Sequence, residues 1–431
     1  MKTSSGFLLG REPLGETGRS VGFSTRPKLP IEGGQVITDA SDGHIAVFAP
    51  TGAGKKRNIL LPTLLSATNP VVVLDVKGEL VRESAAYRRS IGHDVRILDP
   101  WHQVGEDGDS FNPLDTIDGA GPGLADDAYA MASLLVDSAP IKEAYWDESA
   151  QAVVAGLIAH VIACEKEADA SLRRVWQLAA SDDMIYGLAV LLDTLPVHPF
   201  ARAQIASLLS LSADNTRSCI VSVMHQHLRL FGSECVQKAV ATTSFDLSLV
   251  RDGGPLSIYI VVPPSKLNSH AALLRLWLAA FMNLMLERRR PPAQPTLLLL
   301  DEVAQLGRME QIPQAITLAR GYGMRCLLML QSYGQLRHAY PNEHDVLIEN
   351  CGTIATFGHS SFSMSQQAAA LLGDISAERL FGMGQQEIAV RNAGAMTRVV
   401  DRIDFLTDPD LRGRASPNPM FERLSQSDRK S

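Results

Sequence analysis

Ala49 to Lys56 read APTGAGKK, after the apolar run HIAVF and before NILLPTLLSA. A loop that binds nucleotide phosphates must curl its backbone N–H groups around oxygen atoms. Glycines permit that close approach, and a helix N-terminus adds positive potential. Gly52 and Gly54 meet the requirement, and Lys55 is a mobile cation able to reach terminal phosphates. The stretch Thr51, Gly52, Ala53, Gly54, Lys55, Lys56 is therefore the candidate phosphate loop. It departs twice from the general pattern G-x-x-x-x-G-K-[ST]. Ala49 replaces the first glycine, a mild change because a small residue can still turn there. Lys56 replaces the hydroxyl residue that ordinarily binds Mg²⁺, and a lysine cannot coordinate a metal. Pro62, lacking an N–H, predicts a kink or an early stop in the helix that follows.

A phosphate loop needs a distant acidic partner. PTLLLLDEV supplies Asp301 and Glu302 after four leucines, at the carboxyl end of a strand, where ligands of parallel sheets bind. In that arrangement Asp301 holds Mg²⁺, often through water, and Glu302 polarises the attacking water of ATP hydrolysis. MRCLLMLQS ends at Gln331, which could sense the γ-phosphate and orient water, or serve only as a capping amide. Between these strands, Arg320 and Arg325 are candidates for an arginine acting on a neighbouring subunit's site, or plain surface cations; Arg320, in a Gly-flanked turn, is the better candidate. ERRRPP (Glu287 to Pro292) reads as a helix end and linker.

The elements that must position these residues are legible as a rhythm. HIAVFAP, PVVVLDVK, DVRILDP, SIYIVVPP, PTLLLLDEV, MRCLLMLQS, GTIATFG and QEIAVRN read as buried parallel strands, several of them separated by helical patterns. From about Gly121 to Leu249 no strand-like run appears, only apolar residues at helical spacing. The expected fold is α/β, a P-loop NTPase with a mostly parallel sheet, interrupted by an all-α domain. Expected boundaries are 1–43 for an irregular lead-in, 44–120 and 250–405 for the nucleotide-binding domain, 121–249 for the helical insertion and 406–431 for a polar tail.

Composition agrees. The 431 residues are 45% hydrophobic and 20% charged, with a net charge of −7, which argues against a wholly basic, passive nucleic-acid binder. Five scattered cysteines without a CxxC pair suggest neither a disulfide framework nor a zinc site, so a reducing cytosol is expected. The eleven histidines show no ligand spacing. SAQAVVAGLIAHVIA and HAALLRLWLAAFMNLML are short for membrane spans and contain His160 or Arg275, so buried helices and a soluble chain are expected.

Taken together, IAVFAPTGAGKKRNILLPTLL, VVVLDVKGEL, DVRILDPW, SFNPLDTI, TLLLLDEVAQLGRMEQIPQAITLARGYGMRCLLMLQSYGQL and IENCGTIATFG resemble the type IV secretion coupling proteins, the conjugative DNA-transfer ATPases of the TraG/TraD kind. The resemblance runs in order over about residues 5–395. There an alanine at the start of the loop is usual and a Ser or Thr after the lysine is commonly lacking, although Lys56 remains a departure. The resemblance implies a RecA-like motor, hexameric when active, at the cytoplasmic face of the bacterial inner membrane. It implies ATP and Mg²⁺ as cofactors, and as partners DNA, a relaxase or effector protein, and secretion-channel components. It also carries roles onto Lys55, Asp301, Glu302, Gln331 and Arg320, and marks Asp75 to Glu79 (DVKGE) as a signature, which otherwise reads as a β-to-α turn. The family's transmembrane segment precedes a stretch like GFLLGREPLG, which here starts within the first ten residues, so a separate membrane anchor is expected. Two alternatives stay open: a nucleotide-binding recruitment scaffold with little hydrolysis, and a cytosolic DNA-pumping ATPase. The helical insertion and SFNPLD argue against the second.

Overall fold

The computed structural model describes residues 6–13, 34–39, 41–105, 108–136, 144–194, 196–212, 214–359 and 361–418. The chain divides into two compact units, one formed by residues 1–97, 248–264 and 285–431, the other by 98–247 and 265–284.

The first unit is built on a sheet of β1 (Phe7–Arg11), β2 (Val36–Asp39), β3 (His44–Phe48), β4 (Val71–Val76), β5 (Asp94–Leu98), β6 (Leu256–Val262), β7 (Thr296–Leu300), β8 (Met324–Leu330), β9 (Cys351–Phe357), β10 (Glu387–Asn392) and β11 (Arg398–Asp401). Their spatial order is β2-β1-β11-β10-β9-β3-β8-β7-β4-β6-β5. Strands β9, β3, β8, β7, β4 and β6 pair in parallel. Every residue of β3, β4, β6, β7 and β8 is buried, which is why these segments read as unbroken apolar runs rather than as alternations. Each fully buried leucine of β7 contributes about 1.5–3 kcal/mol of transfer free energy.

The α/β expectation holds, and three details of it do not. QEIAVRN is a strand but an antiparallel one, pairing with β9 on one side and β11 on the other. The lead-in is not wholly irregular: β1 and β2 pair with each other, and β1 joins the sheet through β11. The tail contributes as well. Asp408 accepts from the Arg11 guanidinium at 2.7 Å, Arg414 donates to the Leu65 carbonyl at 2.7 Å, and Asn418 donates to Glu83 at 2.7 Å. Residues 419–431 lie outside the described residues.

The helix Glu79–Ser90 is docked by Arg88, which is fully buried. Its guanidinium donates to the carbonyls of Ala67 and Asn69 and to Ser257 Oγ at 2.9 Å. Arg288, in the ERRRPP stretch, is likewise buried and donates to the carbonyls of Arg251, Val250, Tyr322 and Gly323. That arginine is a clamp between loops.

The second unit is helical, with Leu124–Leu135, Ala144–Cys164, Leu172–Ala179, Met184–Thr194, Pro199–Leu209, Asp214–Leu228 and Glu234–Ala239, joined by most of Leu267–Leu286. Residues 98–120 and 265–284, assigned by sequence to the nucleotide-binding domain, fall in this unit instead. Aromatic packing explains the difference. Phe111 stacks on Phe281 with ring centroids 4.4 Å apart, and Trp277 Nε1 donates to the Phe111 carbonyl at 3.0 Å. Tyr145–Cys164 and Leu267–Leu286 are long and apolar enough to cross a membrane by length and composition, yet both are mostly buried here. A helix that is apolar all round belongs in a core or a bilayer, and these line a core.

Candidate functional site

Strand order decides which residues meet. β8 lies between β3 and β7, and β4 lies on the far side of β7. All four are parallel, so the segments following Phe48, Leu330, Leu300 and Val76 emerge along one edge of the sheet. These segments are the phosphate loop, Gln331, Asp301–Glu302 and Lys77–Glu79. Residues separated by more than 200 positions in the chain become neighbours through register alone.

The loop has the conformation its glycines suggested. Gly52 and Gly54 have φ values of 77° and 87°, in the left-handed region that penalises side chains. A Cβ on Gly54 would also stand 2.6 Å from Asn58 Oδ1. After Lys55 the chain winds a π-type turn over Lys56–Leu60, closed by the Leu61 N–H donating to the Lys56 carbonyl. An ordinary helical turn covers only Leu61–Leu64. Pro62 lacks the N–H that an α-helix would need at that point, and the helix stops early, as expected.

Lys55 pairs with Glu302 Oε1. Gln331 Nε2 donates to the other oxygen, Oε2, at 2.8 Å. Glu302 sits at φ 57°, a left-handed conformation unusual for a residue with a side chain. Such strain persists where the surroundings over-determine it, commonly at functional sites. Lys55, Glu302 and Gln331 thus form one connected chain of side chains.

Lys56 has a separate set of partners. Its ammonium donates to Glu79 Oε2 at 3.0 Å and reaches Asp301 Oδ2 at 3.3 Å and the Val76 carbonyl at 3.5 Å. Asp301 is fully buried, and among the described residues neither of its oxygens has a hydrogen-bond partner. Asp75 is one position past Leu74, which is paired with Leu300, so it lies beside Asp301 on the adjacent strand. One Asp75 oxygen accepts the Val81 N–H at 2.9 Å, and among the described residues the other has no hydrogen-bond partner. Burial pushes the Asp75 carboxyl up to about 7, with Lys56 opposing and Asp301 reinforcing the rise. Burial also raises Asp301, against the pull of Lys56 and Lys55. For Lys56, burial acts to lower its pKa, but Asp301, Asp75 and Glu79 together outweigh it and leave the ammonium more basic than usual. DVKGE is therefore both a β-to-α turn and part of the charged cluster, with Lys77 and Gly78 at φ 121° and 73°.

The two arginine candidates separate cleanly. Arg325 is buried: it donates to the carbonyls of Gly43 and Asp39 at 3.0 and 3.1 Å and lies over the Phe7 ring at 4.7 Å. A side chain so engaged cannot reach into another subunit, and Arg325 is structural. Arg320 is exposed and pairs with solvent-facing Asp42 at 2.6 Å, a surface ion pair that contributes little stability. It precedes β8 while Gln331 follows β8, so seven strand residues separate it from its own site, roughly 23 Å.

Sequence reading missed the strap that holds the loop. Arg402 donates to the Ala53 carbonyl at 2.8 Å and lies 3.9 Å over the Phe357 ring. Asn58 Nδ2 donates to the Ile403 carbonyl at 2.8 Å, and Arg57 grips Asp404 with both nitrogens at 2.7 and 2.5 Å. No local pattern marks residues 402–404, because their role depends on contacts about 350 positions away.

A Mg²⁺ at Asp301 would find one carboxylate and no hydroxyl there, and would take its other ligands from nucleotide and water. The hydroxyl ligand is replaced by Lys56, whose ammonium already faces the Asp301 carboxylate. Among the described residues, no group of three or more His, Cys, Asp or Glu side chains is arranged to hold a metal.

Comparison with known proteins places this arrangement. Residues 17–370 match the profile of the family described as type IV secretory system conjugative DNA transfer. A conjugal transfer protein TraG of Escherichia coli is 25% identical over 375 residues, covering 77% of this chain and 59% of that protein. The coupling protein VirD4 of Bartonella henselae is 28% identical over 311 residues, covering 69% and 47%. The chain thus spans about half to three-fifths of these relatives' length. Among solved structures, the conjugative coupling protein TrwBdeltaN70 superposes with a TM-score of 0.65 at 16% identity, covering 85% of this chain and 86% of that one. TrwB in complex with ADP and Mg²⁺ superposes at 0.63 with 17% identity over the same shares. The fold is that of these coupling proteins, and by its sequence the chain belongs to the type IV secretory system conjugative DNA transfer family.

Proposed function

We propose that this chain is an ATP-driven coupling motor, which recruits and helps translocate DNA or protein substrates into a type IV secretion channel. The single observation that carries the reading is the meeting of Lys55, Glu302 and Gln331 at the edge where β3, β8 and β7 end, in a chain of this family. Backbone N–H groups of Thr51 to Lys56 cradle the phosphates of ATP, and Lys55 exchanges Glu302 for the terminal phosphate. Glu302, released from its ion pair and still held by Gln331, then orients a water in line with the γ-phosphorus. The bond to the β–γ bridging oxygen breaks as the new P–O bond forms, and a proton of the water passes toward Glu302. Arg320 of a neighbouring subunit stabilises the charge of the transferring group, within a homo-hexamer at the cytoplasmic face of the inner membrane. DNA, a relaxase or effector protein and channel components are the proposed partners.

A recruitment scaffold with little hydrolysis is the second reading, favoured by the ammonium of Lys56 at Asp301. Steady-state ATP turnover, with and without single- and double-stranded DNA and with particle size followed in parallel, separates the two. The motor reading expects turnover that rises with DNA and assembly and vanishes in Lys55→Ala. Turnover at background in the assembled state supports the scaffold, and turnover that survives Lys55→Ala overturns the motor.

A further inference from the structure

Two fully buried carboxylates, Asp75 and Asp301, lie side by side at the ends of β4 and β7, each with an oxygen that, among the described residues, no hydrogen bond satisfies. Buried anions require a cation close by. Here that cation is covalent. Lys56 reaches in from the loop and sets its ammonium against three oxygens: Glu79 Oε2 at 3.0 Å, Asp301 Oδ2 at 3.3 Å and the Val76 carbonyl at 3.5 Å. An ammonium has three donors and no acceptor, and of these oxygens only Glu79 Oε2 lies within ordinary hydrogen-bond distance, so a donor remains for a phosphate oxygen.

The position in the chain sharpens the point. Lys56 immediately follows Lys55, at the site whose hydroxyl would ordinarily hold Mg²⁺ next to the β- and γ-phosphates. In that pattern a residue at this position faces the phosphate-binding side of the loop. The π-turn opening at Lys56 is locked from below by Asn58 on Ile403 and by Arg57 on Asp404. The side chain therefore approaches the strand ends from a fixed backbone.

We propose that the Lys56 ammonium takes the place of the divalent cation, so that a nucleoside triphosphate binds this loop with an affinity that does not depend on Mg²⁺. The proposal rests on the nucleotide-binding reading above. Asp301 then serves to position Lys56 between strand end and phosphate.

The test is calorimetric titration of the full chain with the β,γ-imido analogue of ATP, in excess Mg²⁺ and in excess EDTA. The wild-type dissociation constants should agree within about threefold, and Lys56→Arg, which keeps the charge, should behave alike. Lys56→Thr restores a hydroxyl and removes the ammonium, and should lose about tenfold or more in EDTA and recover in Mg²⁺. Circular dichroism of both variants checks the fold. A wild-type affinity that falls about tenfold in EDTA overturns the inference and leaves nucleotide binding intact. A Lys56→Thr variant as indifferent to Mg²⁺ as the wild type also overturns it, because the independence would then not come from Lys56. Binding in neither buffer overturns both this inference and the nucleotide-binding reading.

Discussion

Lys55 and Lys56 are consecutive, yet they answer to different carboxylates, Glu302 and the Asp301–Glu79 pair. The ion pair at Glu302 has a consequence for binding. A phosphate arriving at Lys55 would compete with a carboxylate already there, so in the proposed motor the charge on Glu302 opposes binding and serves the later chemical step. Glu302→Gln should therefore lower ATP turnover by about a hundredfold or more, the range for removing a general base. The same variant should keep or tighten the dissociation constant for ATP, read by titration. A variant that loses affinity together with turnover would show that Glu302 supports the loop instead. Each member of the chain Lys55–Glu302–Gln331 was legible in the sequence, because each follows an apolar run that could only be a strand. Their mutual contacts were not, since the contacts depend on β8 lying between β3 and β7. Arg325 shows the same limit from the other side: next to a turn in sequence, it is turned inward onto Asp39 and Gly43 by pairing that no local pattern records.

The helix Glu79–Ser90 joins the site to the body of the sheet, because Glu79 at its start pairs with Lys56 and Arg88 near its end is buried. His93 closes this anchor. Its Nδ1 lies 3.0 Å from the Arg88 guanidinium and 3.1 Å from Ser257 Oγ, and its Nε2 lies 3.1 Å from the Thr68 carbonyl. The neutral ring with its proton on Nε2 satisfies all three contacts. A second proton would face Arg88, and burial together with that charge lowers the pKa from 6.5 to about 4. Between these values the unfolded chain binds a proton at His93 that the folded chain refuses. Stability is thus complete above about pH 6.5 and falls as the pH drops toward about 4, by on the order of 2–3 kcal/mol from this ring. His93→Gln should flatten that part of the profile, measured as denaturant midpoints across the window; an unchanged slope would assign the acid sensitivity elsewhere. At this scale the fully buried parallel strands were readable from their apolar runs. The four-residue strands β2 and β11 were not, since only one residue in each is buried and neither presents an apolar face. β10 was readable as a strand but not in direction, because direction is set by its partners β9 and β11.

For the whole molecule, Arg320 poses the question of completeness. It lies at the opposite end of β8 from Gln331, roughly 23 Å away along the strand, exposed and, among the described residues, paired with Asp42 alone. If it contributes to hydrolysis, the site it serves belongs to another copy. A head-to-tail contact supplies that geometry and closes into a ring when the rotation permits. Two variants then carry complementary lesions: Lys55→Ala loses its loop but keeps Arg320, and Arg320→Ala keeps its loop but cannot serve its neighbour. Each alone should turn over ATP at a small fraction of the wild-type rate. Mixed in equal amounts and allowed to reassemble, a quarter of the interfaces pair an intact loop with an intact arginine, so roughly a quarter of wild-type turnover should return. Dilution should abolish that recovery, because the arginine works only once a neighbour is present. A mixture no more active than its parts, under conditions where sizing shows mixed assemblies, would leave Arg320 as a surface cation paired with Asp42. Half-activity in Arg320→Ala alone would lead to the same conclusion.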